Sequence, residues 1–396
     1  MRAAAILMLL GGCDALFDLN HLRAPDPGTN VDAALGTVID SSITCVGGTL
    51  YGDYGTDDVG LMRICVPMTA TGALSLDGDI DTDGAFCDVA FAIDSYSSQV
   101  CVKWGASITI GTIHATGSRA LILVASDRIT INGVLDVASH QGASARGAGG
   151  NWPGCPQSNG ASGTSTNGGG GGAGGSFGTR GGSGGTNSVD ASTGGRPPVA
   201  LDRVRGGCEG GNGGDGPYTT PGGFGGRAGG AVYLIAGSAI ELTETAVINA
   251  SGQGGHGGDL AHVSFSGPGG GGGGAGSGGL IGLDAPLVMV ASTATVFANG
   301  GGGGGGAAFS TLGGDGADPT KMAITSPAAG GTGSLYGGKG GSGAIATKGA
   351  GNGSNGRSGG GGGGGLGYIA IFTRGPAVTS GQFSPTPVTL VGVPPQ

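Results

Sequence analysis

The sequence predicts an all-β fold, a right-handed parallel β-helix or β-solenoid, with little or no helix after an N-terminal signal peptide. Glycine supplies 100 of the 396 residues, far above its usual share of about 7%. Charged residues make up only 11%, and compact apolar runs alternate with the glycine tracts, so part of the chain can bury a core. Four stretches also repeat one design, at residues 120–139, 230–252, 279–300 and 366–393.

Each repeated stretch contains about three short runs of strand-forming residues, separated by small or polar turn residues. In the second stretch these runs are residues 232–236, 239–242 and 246–250. Self-similarity with a unit of roughly 20–30 residues is typical of solenoids. Three strands per unit would form one triangular coil, stacked about 4.8 Å from the next. The predicted solenoid covers residues 116–396.

Glycine-rich insertions follow the third run of the first three stretches, at about 140–229, 253–278 and 301–365. Equivalent positions stack in a solenoid, so the insertions should leave one corner side by side. Polyglycine can adopt a threefold extended helix with a rise of about 3.1 Å per residue, and such legs pair only where no side chain separates them. Ordering a run of seven glycines costs roughly 7–14 kcal/mol, against about 1 kcal/mol per amide hydrogen bond. We predict polyglycine-II-like bundles, and flexible linkers are the alternative.

The N-terminus predicts export and lipid attachment. Residues 1–13 combine Arg2, a short apolar run and the sequence Leu-Gly-Gly-Cys ending at Cys13. This resembles the bacterial lipobox, in which the cysteine is diacylated and becomes the mature N-terminus, and multiple acyl chains anchor a protein stably. The alternative is a short buried helix. Residues 14–30 would then be a tether.

Residues 31–115 are predicted to form a disulfide-stapled N-terminal β cap, since they hold four cysteines and shorter apolar runs. An even number of cysteines in an exported chain favours disulfides. We expect pairing in chain order, although sequence alone does not fix it. A zinc site is the alternative, but no C-x-x-C spacing supports it. The six predicted disulfide cysteines are Cys45, Cys65, Cys87, Cys101, Cys155 and Cys208.

Calcium is the one cofactor for which the sequence gives a hint. Asp215, Asp259 and Asp318 each end a match to the first six positions of the G-G-x-G-x-D calcium repeat. The copies are not in tandem and lack the following apolar residue, so solvated turns are the alternative. The aspartates of residues 79–83 resemble the start of an EF-hand loop, but the twelfth position is Ala90 rather than Glu.

No catalytic residue is predicted. G-x-S-x-G occurs around Ser176 and Ser183, without the strand–helix context of a nucleophile elbow. A polysaccharide lyase or hydrolase is the alternative, and it would need convergent charges on the coils. The candidate charges are Asp127, Arg128, Asp136, Glu241, Glu244 and Asp284. Net charge −9 without a basic cluster argues against nucleic acid.

The coil units, such as GSRALILVASDRITINGVLDVAS followed by glycine tracts, resemble glycine-rich, PGRS-like bacterial surface lipoproteins of uncharacterised function. The resemblance covers residues 107–396 and is specific for architecture rather than activity. It implies a lipid-anchored protein of the cell envelope, at the outer membrane or cell surface rather than the inner membrane. We expect a structural or adhesive role without catalysis, with the membrane as a partner through the lipid and extracellular polysaccharide or other surface components as possible ligands.

Overall fold

Over the residues that it describes, the computed structural model is rich in strands and almost without helix, and this part of the prediction is confirmed there. Cys13, His21 and His262 lie outside the described residues, as do the predicted signal peptide and tether. The described residues are 45, 48–52, 61–67, 72–88, 100–150, 153–164, 166–187, 194–201, 203–217, 220–260, 267–320, 324–375 and 377–391.

The strands are short and follow the apolar runs of the sequence. They are β1 (Gly48–Tyr51), β2 (Ile64–Pro67), β3 (Ala73–Asp81), β4 (Val100–Gly105), β5 (Ser107–Thr116), β6 (Ala120–Ala125), β7 (Arg128–Ile131), β8 (Val134–Asp136), β9 (Ala231–Ala236), β10 (Ala239–Leu242), β11 (Val247–Asn249), β12 (Leu280–Asp284), β13 (Leu287–Val290), β14 (Thr295–Phe297), β15 (Tyr368–Thr373), β16 (Val378–Thr379), β17 (Gln382–Ser384) and β18 (Val388–Val391).

The described strands form two large parallel sheets and one antiparallel hairpin. The six-stranded sheet has the order β18-β15-β12-β9-β6-β4. The ten-stranded sheet has the order β16-β13-β10-β7-β5-β8-β11-β14-β17, with β3 also paired to β5. The hairpin consists of β1 and β2. The predicted cap region therefore supplies strands to both large sheets, because β3 and β5 belong to one and β4 to the other.

The predicted right-handed β-solenoid is wrong. In a triangular coil, the first, second and third strands of successive units would form three separate sheets. In this structure, β5 joins the second strands (β7, β10 and β13) and the third strands (β8, β11 and β14) into one sheet. Residues 108–110 of β5 pair with β7, and residues 113–114 of the same strand pair with β8. The sheet is continuous through β5 and curls around it. The result is a curled half-barrel of several parallel sheets, closer to the sheet arrangement of α/β folds than to a solenoid.

Both faces of the inner strands β6, β9, β12 and β15 of the six-stranded sheet are buried, which explains their nearly uninterrupted apolar sequences. Leu121, Val232, Ile281 and Ile369 occupy matching positions on successive strands and belong to the core between the two large sheets. Alternate residues such as Tyr233 face the other way and pack with the hairpin and with the first insertion.

The three insertions leave the sheets at equivalent places. They follow β8, β11 and β14, which are neighbours in the ten-stranded sheet, and they return into β9, β12 and β15. Their glycine tracts consequently run beside one another, and most of the glycines are buried.

The hydrogen bonds of the glycine tracts repeat every three residues. In residues 169–175, the first, fourth and seventh N–H groups donate to the leg 269–275 at 2.8–3.1 Å. The second and fifth donate to the leg 158–161, and the third and sixth to the leg 182–185. Three directions in three residues match an extended helix with three residues per turn. The legs of the three insertions that pair in this way form the glycine bundle.

Three disulfides connect the cysteines in the chain order that was predicted. Cys45 pairs with Cys65, Cys87 with Cys101, and Cys155 with Cys208. The third disulfide lies within the glycine bundle and joins two parts of the first insertion.

Across the part of the chain that the structure describes, no helix is both long enough and apolar enough to cross a bilayer.

Candidate binding groove

The three aspartates singled out for calcium each accept hydrogen bonds from backbone amides. Asp215 Oδ1 accepts from the Gly222 amide at 3.0 Å, and Asp259 Oδ1 accepts from the Leu260 amide at 2.7 Å. The two oxygens of Asp318 accept from the amides of Gly254 and Gln141. In the described ranges, no group of three or more His, Cys, Asp or Glu residues is arranged to hold a metal ion. These carboxylates thus stabilise turns and crossings of the glycine bundle.

The EF-hand-like aspartates also lie in a turn. Asp81 Oδ1 accepts a hydrogen bond from the Asp83 amide, and Asp83 accepts from the amide and hydroxyl of Ser118 at 2.7 and 2.6 Å. Burial alone would raise the pKa of Asp83, but the Ser118 hydrogen bonds, with Arg119 nearby, leave that pKa below its ordinary value. The Asp83–Ser118 hydrogen bonds therefore connect the turn after β3 to the turn after β5.

An open groove of about 440 Å³ lies on the glycine bundle where three legs meet. Its volume falls within the range of about 300–1,000 Å³ that is usual for small-ligand sites. One wall comes from the first insertion, one from the second and one from the third. The lining residues are Pro221, Gly222, Gly223, Phe224, His256, Gly257, Gly258, Asp259, Leu312, Gly313 and Asp315.

Two large apolar side chains are exposed in this groove. Phe224 is 70% exposed and Leu312 is 57% exposed. Phe224 stands alone between pairs of glycines, so its ring projects from a wall that otherwise carries few side chains. The phenyl ring gives this wall a flat apolar platform.

The polar side chains of the groove are acidic, apart from one histidine. Asp315 Oδ1 accepts a hydrogen bond from the Gly257 amide at 2.8 Å and lies 3.6 Å from Nδ1 of His256. Asp259 and Asp315 are both exposed. Among the residues that line the groove there is no lysine or arginine. The groove therefore presents an apolar platform beside negative charge.

A second polar cluster joins the end of β8 to the third insertion. His140 Nε2 lies 3.0 Å from Asp136 Oδ2, and His140 Nδ1 lies 3.9 Å from Asp318 Oδ2. His114 Nδ1 is 3.7 Å from the same Asp136 oxygen. The hydrogen bond to Asp136 holds the pKa of His140 above its ordinary value, although partial burial acts in the opposite direction.

Four of the six charges that could serve glycan cleavage, Arg128, Asp136, Glu241 and Asp284, have structural partners. Arg128 and Glu241 form an exposed ion pair at 3.2 Å, and Asp284 is fully buried against the Tyr233 hydroxyl. The buried Ser176 hydroxyl donates to the Arg196 carbonyl and accepts from the Gly181 amide. These groups are used in holding strands and legs together.

Sequence reasoning placed Asp259 among the candidate residues but missed Phe224, Leu312 and Asp315. Phe224 did carry a signal, because a lone aromatic residue inside a glycine tract has no local packing reason. The grouping of these residues was not visible in the sequence, since it depends on how three separate insertions pair.

Comparison with known proteins adds no precedent: no protein-family model, no curated protein and no solved structure matches the chain.

Proposed function

We propose that this protein is a non-enzymatic, lipid-anchored component of the cell envelope whose glycine bundle serves as an adhesive or structural surface. The observation that carries the proposal is the glycine bundle itself, in which backbone amides bond leg to leg over all three insertions. A large part of the chain therefore forms a rigid, hydrogen-bonded scaffold. The Ser176 hydroxyl and the Asp284 carboxylate, two groups with catalytic potential, are meanwhile engaged in hydrogen bonds that hold the structure together.

Attachment through Cys13 would place the bundle at the outer membrane or cell surface. The lipobox-like sequence before Cys13 supports this, and the three disulfides fit an oxidising, exported environment. A Cys13→Ser variant tests the anchor in cells of a Gram-negative host. We expect the parent protein in the membrane fraction with a lipid-modified N-terminal cysteine by mass spectrometry, and the variant without either property. Equal fractionation of both would contradict the anchor.

Binding of an extracellular polysaccharide is the second candidate function, and the groove on the glycine bundle favours it. Exposed aromatic rings next to carboxylates are suited to sugars, because the ring takes the apolar face and the carboxylates accept from hydroxyls.

The test for the adhesive role uses the soluble chain from Asp14 onward, labelled and added to bacterial cells and to immobilised polysaccharides. We expect saturable retention on cells or on at least one polysaccharide, and no turnover of a polyuronate panel. Absence of retention under all conditions would contradict the adhesive role, and polyuronate cleavage would contradict the non-enzymatic one.

A further inference from the structure

The groove on the glycine bundle has acceptors and apolar surface to offer a ligand but few free donors. Its backbone N–H groups are largely consumed by the bundle: Gly223, His256, Gly258, Asp259 and Gly313 donate to carbonyls of other legs at 2.8–3.1 Å. The amides of Gly222 and Gly257 donate to Asp215 and Asp315. A ligand that binds there must therefore bring its own hydrogen-bond donors.

Two carboxylates in the groove are positioned to accept those donors. Asp259 and Asp315 each use Oδ1 for a backbone amide. For the second oxygen of either carboxylate, the described part of the chain provides no hydrogen-bond partner. Since the lining residues include no lysine or arginine, the local charge favours a cation, as does the net charge of −9.

The exposed phenyl ring selects the shape of the ligand. Phe224 offers a flat apolar surface, 70% exposed, beside the two acidic groups. A pyranose ring has an apolar face of C–H groups that can cover such a ring, with polar groups around its edge. An amino sugar adds an ammonium group, which can pair with a carboxylate and also interact with the aromatic face.

We propose that this groove binds a glycan of deacetylated amino sugars, with a sugar ring on Phe224 and its ammonium groups at Asp259 and Asp315. The inference rests on the proposed adhesive role and names its ligand class. Polyanionic glycans do not fit the charge. A cationic peptide is less well suited, because most amides of the groove already donate within the bundle and so do not pair with a peptide main chain.

The test is calorimetric titration of the soluble chain with three oligosaccharides and one peptide. The probes are a β-linked glucosamine hexamer, the matching N-acetylglucosamine hexamer, a galacturonate hexamer and hexalysine. We expect the glucosamine hexamer to bind more tightly than the other three, and its binding to weaken as salt increases. Equal or tighter binding of hexalysine would overturn the sugar assignment, and tighter binding of the galacturonate hexamer would overturn the charge argument.

Variants locate the binding site. Phe224→Ala should weaken glucosamine binding by about 30-fold or more, the scale of a binding hot spot. Asp259→Asn combined with Asp315→Asn should weaken glucosamine binding and remove its salt dependence, since asparagine keeps an oxygen for the backbone amides.

The matched control is Leu335→Ala, which removes another exposed apolar side chain, 83% exposed and outside the groove lining. All variants should keep the thermal unfolding midpoint of the parent. Unchanged glucosamine binding by folded Phe224→Ala would overturn the proposal.

Cell retention of the same variants separates this inference from the proposed function. Retention that survives without any glucosamine binding would overturn the ligand assignment but leave the adhesive role. Glucosamine binding in solution without retention on cells would leave the groove assignment and count against adhesion.

Discussion

The Tyr233 hydroxyl donates a hydrogen bond of 2.6 Å to Asp284 Oδ2, and both side chains are completely buried. The two residues lie on adjacent parallel strands, β9 and β12, and Tyr233 is opposite Gly282 in the strand register. A methyl group at Gly282 would overlap the Tyr233 ring. The glycine thus makes room for the ring, and the ring in turn brings a donor to the buried carboxylate.

Tyr233→Phe should destabilise the protein because it removes that donor from a fully buried acceptor. We expect a loss of about 1–3 kcal/mol in the free energy of unfolding, measured by urea denaturation at neutral pH. The amide of Leu61, which donates to the same hydroxyl at 3.3 Å, would lose its acceptor as well. Tyr336→Phe is the control, since Tyr336 is 52% exposed and should change stability by less than about 0.5 kcal/mol. Equal effects of the two substitutions would contradict this account.

The positions of strands could be predicted from the sequence, but their assembly into sheets could not. The predicted runs 239–242 and 246–250 agree with β10 and β11 to within about one residue, because apolar patterning and turn residues are local signals. Whether a strand ends at a given glycine depends on which other strands pair with it, and neighbouring residues in the sequence do not decide this. Gly111 lies within the unbroken β5, which pairs with two strands at once, and that continuity merges two of the three expected faces into one curled sheet.

The binding groove depends on contacts that are still further apart in the chain. Phe224, His256 and Asp315 come from three different insertions. Glycine tracts of similar composition carry no information about which residues meet, since any glycine can pair with any other. The register is set by the strands that begin and end each insertion.

Gly361→Ala should disrupt the close pairing of legs in the glycine bundle. The Gly361 amide donates to the Gly304 carbonyl at 2.8 Å, while an added methyl group would overlap the Gly273 carbonyl oxygen of another leg. Overpacking of this kind costs about 1–3 kcal/mol, so the urea midpoint should fall and amide exchange near Gly304 should accelerate.

Gly349→Ala is the matched control for Gly361→Ala. Gly349 also lies in a glycine-rich stretch, but a methyl group there meets no atom within 4 Å. This variant should be neutral, or more stable by up to about 1 kcal/mol because alanine restricts the unfolded chain. If both alanines have the same effect, the close pairing of legs is not what requires glycine at position 361.

Replacing Cys155 and Cys208 with serine should reduce stability more than replacing Cys87 and Cys101. The first pair closes a sequence separation of 53 residues and the second a separation of 14. Loop-closure entropy then predicts losses of about 4 and about 3 kcal/mol, respectively. Thermal unfolding of the two double variants, each compared with the parent under oxidising conditions, measures the difference. A larger loss for the shorter loop would show that packing around Cys101, and not chain entropy, dominates.

Stability should fall as the pH rises through the range in which His140 loses its proton. Asp136 holds the pKa of His140 above its ordinary value, so the folded protein binds this proton more tightly than the unfolded chain does. The stabilisation is therefore fully present below the unfolded pKa of about 6.5 and disappears as the pH rises through the higher folded pKa. His114 and Asp318 face the same cluster.

Unfolding midpoints of the parent, His140→Gln and His256→Gln between pH 5 and pH 9 test this linkage. The parent should lose stability towards alkaline pH, and His140→Gln should lose most of that slope because its amide does not titrate. His256 is the matched control, since it lies beside a different aspartate, Asp315, at 3.6 Å. If His140→Gln retains the slope of the parent while His256→Gln removes it, the proton-linked contact is in the groove and not at the junction of β8 with the third insertion.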